Sequence, residues 1–110
     1  MILVKENTTT IVSQENILLQ KFIENVLKAY PEMKMDNIVI NLFSFSKMTT
    51  SDILEFLQIS NEHRASKKSF ILVSDKISFE EIPDEICVVP TIQEAKDIIE
   101  MEEIERDLGL

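Results

Sequence analysis

The chain has 110 residues, 45% of them apolar and 28% charged, enough for one folded core but not for two. Its apolar runs reach only about five or six residues, against the roughly 20 needed to span a bilayer. The opening Met1-Ile2-Leu3-Val4-Lys5-Glu6 has neither a basic region nor a secretory apolar run, so a cytoplasmic location without membrane insertion is expected.

The net charge of −9 is unevenly placed. Residues 1–74 carry eight acids and eight bases, whereas residues 75–110 carry twelve acids and three bases, so the whole excess lies in the last third. That end repels free nucleic acid and steers a basic protein patch toward itself. An acidic, solvated surface that keeps a small protein in solution has the same composition.

Residues 2–13 predict a hairpin. Ile2-Leu3-Val4 and Thr8-Thr9-Thr10-Ile11-Val12 are β-rich, with Glu6-Asn7 as the tight turn. Asn16 is placed to cap a helix over 17–30. Leu19, Phe22, Ile23, Val26, Leu27 and Tyr30 give that helix one core-facing stripe, and Pro31 is expected to end it.

A strand over 37–43 follows, then Phe43-Ser44-Phe45-Ser46, the hydroxyl cluster Thr49-Thr50-Ser51, a helix over about 51–65 and a strand over 69–74. Two strands buried on both faces and joined by a helix form a βαβ crossover, so the sheet is partly parallel. The hydroxyl cluster falls at the carboxyl end of that sheet, where open α/β proteins place their working parts. Ile53, Phe56, Leu57 and Ser60 share the sheet-facing side of the helix, and Ser60 is small enough to bring the helix close. Leu54 and Ile59 fall outside that arc and are expected on its exposed flanks.

Residues 74–85 are polar, contain Pro83 and allow one helical turn around Ser78-Phe79-Glu80-Glu81. A short strand over 85–89 ends at Pro90. Thr91, with Glu94 three residues on, then opens a helix that runs to about Asp107, near the sole glycine, Gly109. The order is β-β-α-β-α-β-(short α)-β-α: an α/β sandwich with a mixed sheet, an N-terminal hairpin and parallel βαβ crossovers.

Chemistry-bearing residues are few. Cys87 is the single cysteine, which excludes an internal disulfide and suits a small buried hydrophobe. His63 is the single histidine. It suits a partly exposed position near a helix C-terminus, where it and Arg64 complement the dipole. One glycine leaves no Gly-rich cradle for a nucleotide cofactor. Zinc ligands do not cluster, and a Ser-His-Asp triad lacks its nucleophile elbow. Glu80-Glu81, Asp84-Glu85 and Glu102-Glu103 match a solvated acidic surface. No catalytic residue, metal site or cofactor is expected.

The last helix carries a second signal. Ala95, Ile98 and Ile99 form the arc that packs on the sheet, while Met101, Ile104 and Leu108 drift to another side among Glu102, Glu103, Glu105 and Asp107. Such a strip either docks in a partner's groove or folds back onto its own domain; pairing of two copies through it is a third outcome.

The element order and residues 36–75 resemble the STAS domain, the fold of bacterial anti-sigma factor antagonists. Asn37-Ile38-Val39-Ile40-Asn41-Leu42 is similar to the family's apolar strand, and Thr49-Thr50-Ser51-Asp52-Ile53 stands where its Asp-Ser-x-Gly-Leu turn belongs. Phe70-Ile71-Leu72-Val73 resembles the next strand. Val88-Val89-Pro90-Thr91-Ile92-Gln93-Glu94-Ala95 resembles the last strand and the start of the last helix.

The resemblance implies a non-catalytic regulatory module in which a kinase modifies the turn and dismisses a protein partner. By position Thr50 would be the phosphoacceptor, with Ser51 next. Thr49 replaces the family's aspartate and Asp52 its glycine, and a negative Asp52 beside Thr50 opposes an added phosphate. The same hydroxyls suit a helix N-cap or a bound anion. The resemblance places the partner surface on the second helix, at Leu54, Glu55 and Ile59.

Some STAS-like domains work in transport, which implies a small-molecule or lipid-handling accessory role as the alternative. Short chains of this type are also labelled ribonuclease Z. Those nucleases hold two metal ions with a His-x-His-x-Asp-His motif, which one histidine cannot supply, so the label implies at most an accessory partner of a nuclease.

Overall fold

The sheet is built from β1 (Ile2–Glu6), β2 (Thr9–Ser13), β3 (Asn37–Asn41), β4 (Phe70–Val73) and β5 (Cys87–Val89), hydrogen-bonded in that order. These elements come from a computed structural model that describes residues 1–77 and 81–109. β1 pairs antiparallel with β2, and the other neighbours are parallel. Four helices complete the α/β architecture among the described residues: α1 (Leu19–Met33), α2 (Thr50–Leu54), α3 (Leu57–Ala65) and α4 (Ile92–Asp107). The turn expected around residues 78–81 lies largely outside the described residues.

Side-chain alternation along the parallel strands divides the core into two layers. Val12, Ile38, Ile40, Phe70, Leu72 and Val88 point to one face, where they meet Phe22, Ile23 and Val26 of α1 and Ile53 and Ile59 of α2 and α3. Val39, Ile71, Val73 and Val89 point to the other face, where Ala95 and Ile99 of α4 close on them. α4 packs on β3, β4 and β5.

Several local expectations are corrected. The hairpin turn is Asn7-Thr8, with Glu6 opposite Thr9; Asn7 takes the left-handed backbone (φ 54°) that asparagine tolerates well. Asn16 is also left-handed (φ 57°), so it turns the chain, and α1 starts later behind Leu18, which supplies no side-chain cap.

Pro31 lies inside α1, and the helix runs on to Met33. A proline here forfeits one backbone bond, to the carbonyl of Leu27. Leu27 is exposed rather than in the core stripe, so that carbonyl lies on the solvent side, and buried Met33 anchors the extra turn.

The single helix over 51–65 is two helices. The amides of Glu55 and Phe56 bond to carbonyls three residues back, at 3.3 and 3.0 Å, and this tightened turn re-aims α3. Ile59, placed on an exposed flank by its spacing, is only 4% exposed. The helical wheel describes the side facing the sheet, but α1 lies alongside and covers this flank.

Candidate functional site

The hydroxyl segment lies at the carboxyl end of β3, as its spacing requires. The residue that caps α2 is Thr49, neither Thr50 nor Ser51. Its Oγ1 accepts from the Asp52 amide at 3.2 Å, and the Asp52 carboxylate accepts from the Thr49 amide at 2.8 Å, a reciprocal capping box. Asp52 therefore has a structural task at the position where the resemblance called for glycine. Thr50 is half-buried, and its hydroxyl donates to a Glu81 carboxylate oxygen at 3.0 Å; Ser51 is exposed.

The second-helix face is smaller than its spacing implied. Leu54 is 40% exposed, but the exposed Glu55 already accepts a hydrogen bond from Gln20 of α1, and Ile59 is buried. Between α1 and α3 a partly enclosed depression is lined by Leu27, Tyr30 and Ile59, with Glu55, Gln58 and Glu62 around it.

On α4, Met101, Ile104 and Leu108 are each more than half exposed, so the strip is not folded onto its own domain. Its acidic rim is only partly free. Glu105 and Asp107 face solvent, whereas Glu102 and Glu103 turn toward the sheet and are occupied there.

That occupation forms the largest polar constellation among the described residues, at the amino ends of β2, β3 and β4. Arg64 donates to both carboxylate oxygens of Glu102, at 3.4 and 3.2 Å, and to the Phe70 carbonyl at 3.1 Å. The Ser69 hydroxyl donates to Glu102. Arg106 donates to the Ser69 hydroxyl at 3.2 Å and to the Asn37 side-chain carbonyl at 3.3 Å. Buried Asn37 donates to Glu103 at 3.2 Å, and Thr8 donates to the same oxygen at 2.8 Å. Each charge is met by a partner of its own chain, so the constellation clasps the second half of α4 to the sheet.

Its signal is present in the sequence. Thr8, Asn37 and Ser69 are polar residues at or just before the starts of three strands, and parallel pairing brings such positions side by side.

His63 corrects its expectation more sharply: it is fully buried. Its Nε2 lies 2.7 Å from the Asp36 carbonyl, which only accepts, so Nε2 carries the proton. Nδ1 then accepts from the Tyr30 hydroxyl at 2.8 Å. Burial lowers the His63 pKa, with Arg64 and Lys68 adding to the effect and the bond to the Asp36 carbonyl opposing it. Both ring nitrogens are spent on holding α3 to α1 and to the start of β3.

Cys87 is half-buried against the α4-side core, and burial pushes its thiol pKa up, away from reactive thiolate. Among the described residues no three His, Cys, Asp or Glu side chains come together in a metal-binding group, and no helix is long and apolar enough to cross a membrane. Neither a family model nor a curated protein matches this chain.

Proposed function

We propose that this chain is a non-catalytic, STAS-like protein-interaction module that works in the cytoplasm, resembling the anti-sigma factor antagonists, and that its partner presents a basic, groove-bearing surface. The observation that carries the reading is the outward face of α4. Met101, Ile104 and Leu108 form an unpaired apolar strip on a helix whose opposite side is spent on the core. Glu105 and Asp107 flank the strip, and the acidic last third of the chain draws a basic surface to it. The strand order and the crossovers through α1 and α2–α3 support the STAS-like class, as does the placement of Thr49-Thr50-Ser51 after β3.

The edge at Thr50, Ser51 and Leu54 is the regulatory half of this reading. Thr50 donates to Glu81, and a phosphate there would replace that bond with repulsion from both Glu81 and Asp52. Modification at Thr50 would thus loosen the start of α2, whereas exposed Ser51 would accept a phosphate with less disturbance.

Quantitative affinity purification of the full chain beside its Ile104→Glu variant, with phosphosite mapping, tests the reading. It expects proteins with basic surfaces to be recovered with the wild type and depleted about tenfold with the variant, a loss of about 1.4 kcal/mol. Equal recovery by both chains overturns it.

A further inference from the structure

The sheet edge farthest from β5 is the strand β1, whose outer backbone groups no other described element meets. All five residues of β1 are exposed, Ile2, Leu3 and Val4 among them. Edge strands are normally protected by charges, proline, a bulge or a covering helix. Here α4 packs mainly on β3, β4 and β5 and meets the hairpin only near its turn, through Lys96 and Glu103, so the outer edge of β1 has no described helix over it. The two charges of β1 are exposed but already paired within the chain, Lys5 with Asp36 at 3.3 Å and Glu6 with Lys96 at 2.7 Å. The other edge, β5, is three residues long and ends at Pro90.

We propose that β1 is a self-pairing edge: two copies of this chain join their β1 strands antiparallel about a twofold axis, so that one sheet runs through both. The two-residue turn closes on the Glu6–Thr9 pair, and antiparallel bonding then alternates along the ladder. Val4 and Ile2 spend their backbone groups on β2, while Leu3 and Lys5 direct theirs outward. Pairing centred on Val4 sets Leu3 of each copy against Lys5 of the other and satisfies all of those outward groups. Val4 meets its counterpart on the α4 side of the sheet, outward of Ile11, and no like charges stand opposite each other.

The charge distribution selects a second copy as the occupant. Residues 1–74 are neutral overall and residues 75–110 carry the entire −9. β5 is the strand farthest from β1, and α4, which reaches the hairpin turn through Lys96 and Glu103, packs chiefly on β3–β5, so two copies joined at β1 hold the bulk of their acidic regions apart. A basic partner is drawn to the opposite side. An edge of five residues is a small contact beside the roughly 800 Å² per partner of a standard interface, so the proposed dimer is reversible and concentration-dependent.

Sedimentation of the full chain from about 1 μM to about 1 mM spans the dissociation constants that such an edge supports. The wild type should pass from monomer to dimer across that range. Leu3→Pro deletes an outward N–H and leaves the bonds to β2 intact, so it should weaken dimerisation at least about tenfold with an unchanged circular dichroism spectrum. Val4→Lys, which sets like charges across the axis, should do the same without touching the backbone, and it decides the matter if Leu3→Pro does not fold. A wild type that stays monomeric throughout overturns the proposal. So does a dimer that Val4→Lys leaves intact, or one that only Ile104→Glu dissolves.

Discussion

The Tyr30 hydroxyl stands 2.8 Å from Nδ1 of His63 and ties the last turns of α1 to those of α3. Because Nε2 is committed to the Asp36 carbonyl, Tyr30 is the donor that a buried neutral imidazole needs on its other side. Tyr30→Phe keeps the ring and leaves Nδ1 unpaired. It should cost about 1–3 kcal/mol in urea unfolding at neutral pH.

The same imidazole makes stability depend on pH. In the unfolded chain His63 titrates near about 6.5, and burial lowers its pKa in the folded protein. Below about 6.5 the unfolded state therefore binds the proton more readily, so stability is fully present above that pH and is lost as pH falls toward the lowered value. Thermal midpoints across that window should fall for the wild type and fall less steeply for His63→Phe.

Two adjacent threonines should separate cleanly. Thr49 holds the capping box with Asp52, so Thr49→Ala should cost about 0.5–2 kcal/mol in denaturant unfolding. Thr50→Ala loses only its bond to Glu81 and should stay within about 0.5 kcal/mol of the wild type.

Leu54 and Ile59, equivalent by spacing, should behave as opposites. Ile59→Ala opens a cavity in the α1-side core and should cost about 2–5 kcal/mol. Leu54→Ala should shift the chemical-denaturation midpoint by an amount equivalent to only about 0.5 kcal/mol.

Ser60 gives a stabilising prediction. It is fully buried where α3 meets the sheet, and its Oγ has no hydrogen-bond partner among the described residues. Ser60→Ala keeps the close approach, removes the unpaired hydroxyl and favours the helix, so stability should rise by roughly 1 kcal/mol.

These residues mark what the sequence reveals and what it conceals. The strand pairs, the crossover at 37–73, the Thr91 cap and the inward face of α4 follow from side-chain periods and local capping chemistry, both of which act over a few residues. Periodicity puts Ile59 on an exposed flank because it reports a helix's orientation to the sheet and carries nothing about a neighbouring helix. The dipole that suits His63 to a partly exposed helix end is equally silent on the α1 side chain that covers it. Pro31 signals a stop because its lost bond is visible in the sequence, while the anchoring of Met33 is not. In the clasp, the polar strand starts Asn37 and Ser69 are visible in the sequence, but their joining to Glu102 and Arg106 depends on how α4 packs across the sheet, which links positions more than sixty residues apart. The outward strip at Met101, Ile104 and Leu108 was legible because it lies on one long helix with a single covered side.

Hydrogen exchange of the full chain, alone and with its recovered partner, tests the central claim that the outer surface is where this protein acts. The account predicts slowed exchange along α4 from Ile98 to Leu108 and at the Thr49–Glu55 edge, with the β3 and β4 core unchanged. Protection confined to the depression beside Ile59, with α4 exchanging as in the free protein, would contradict it.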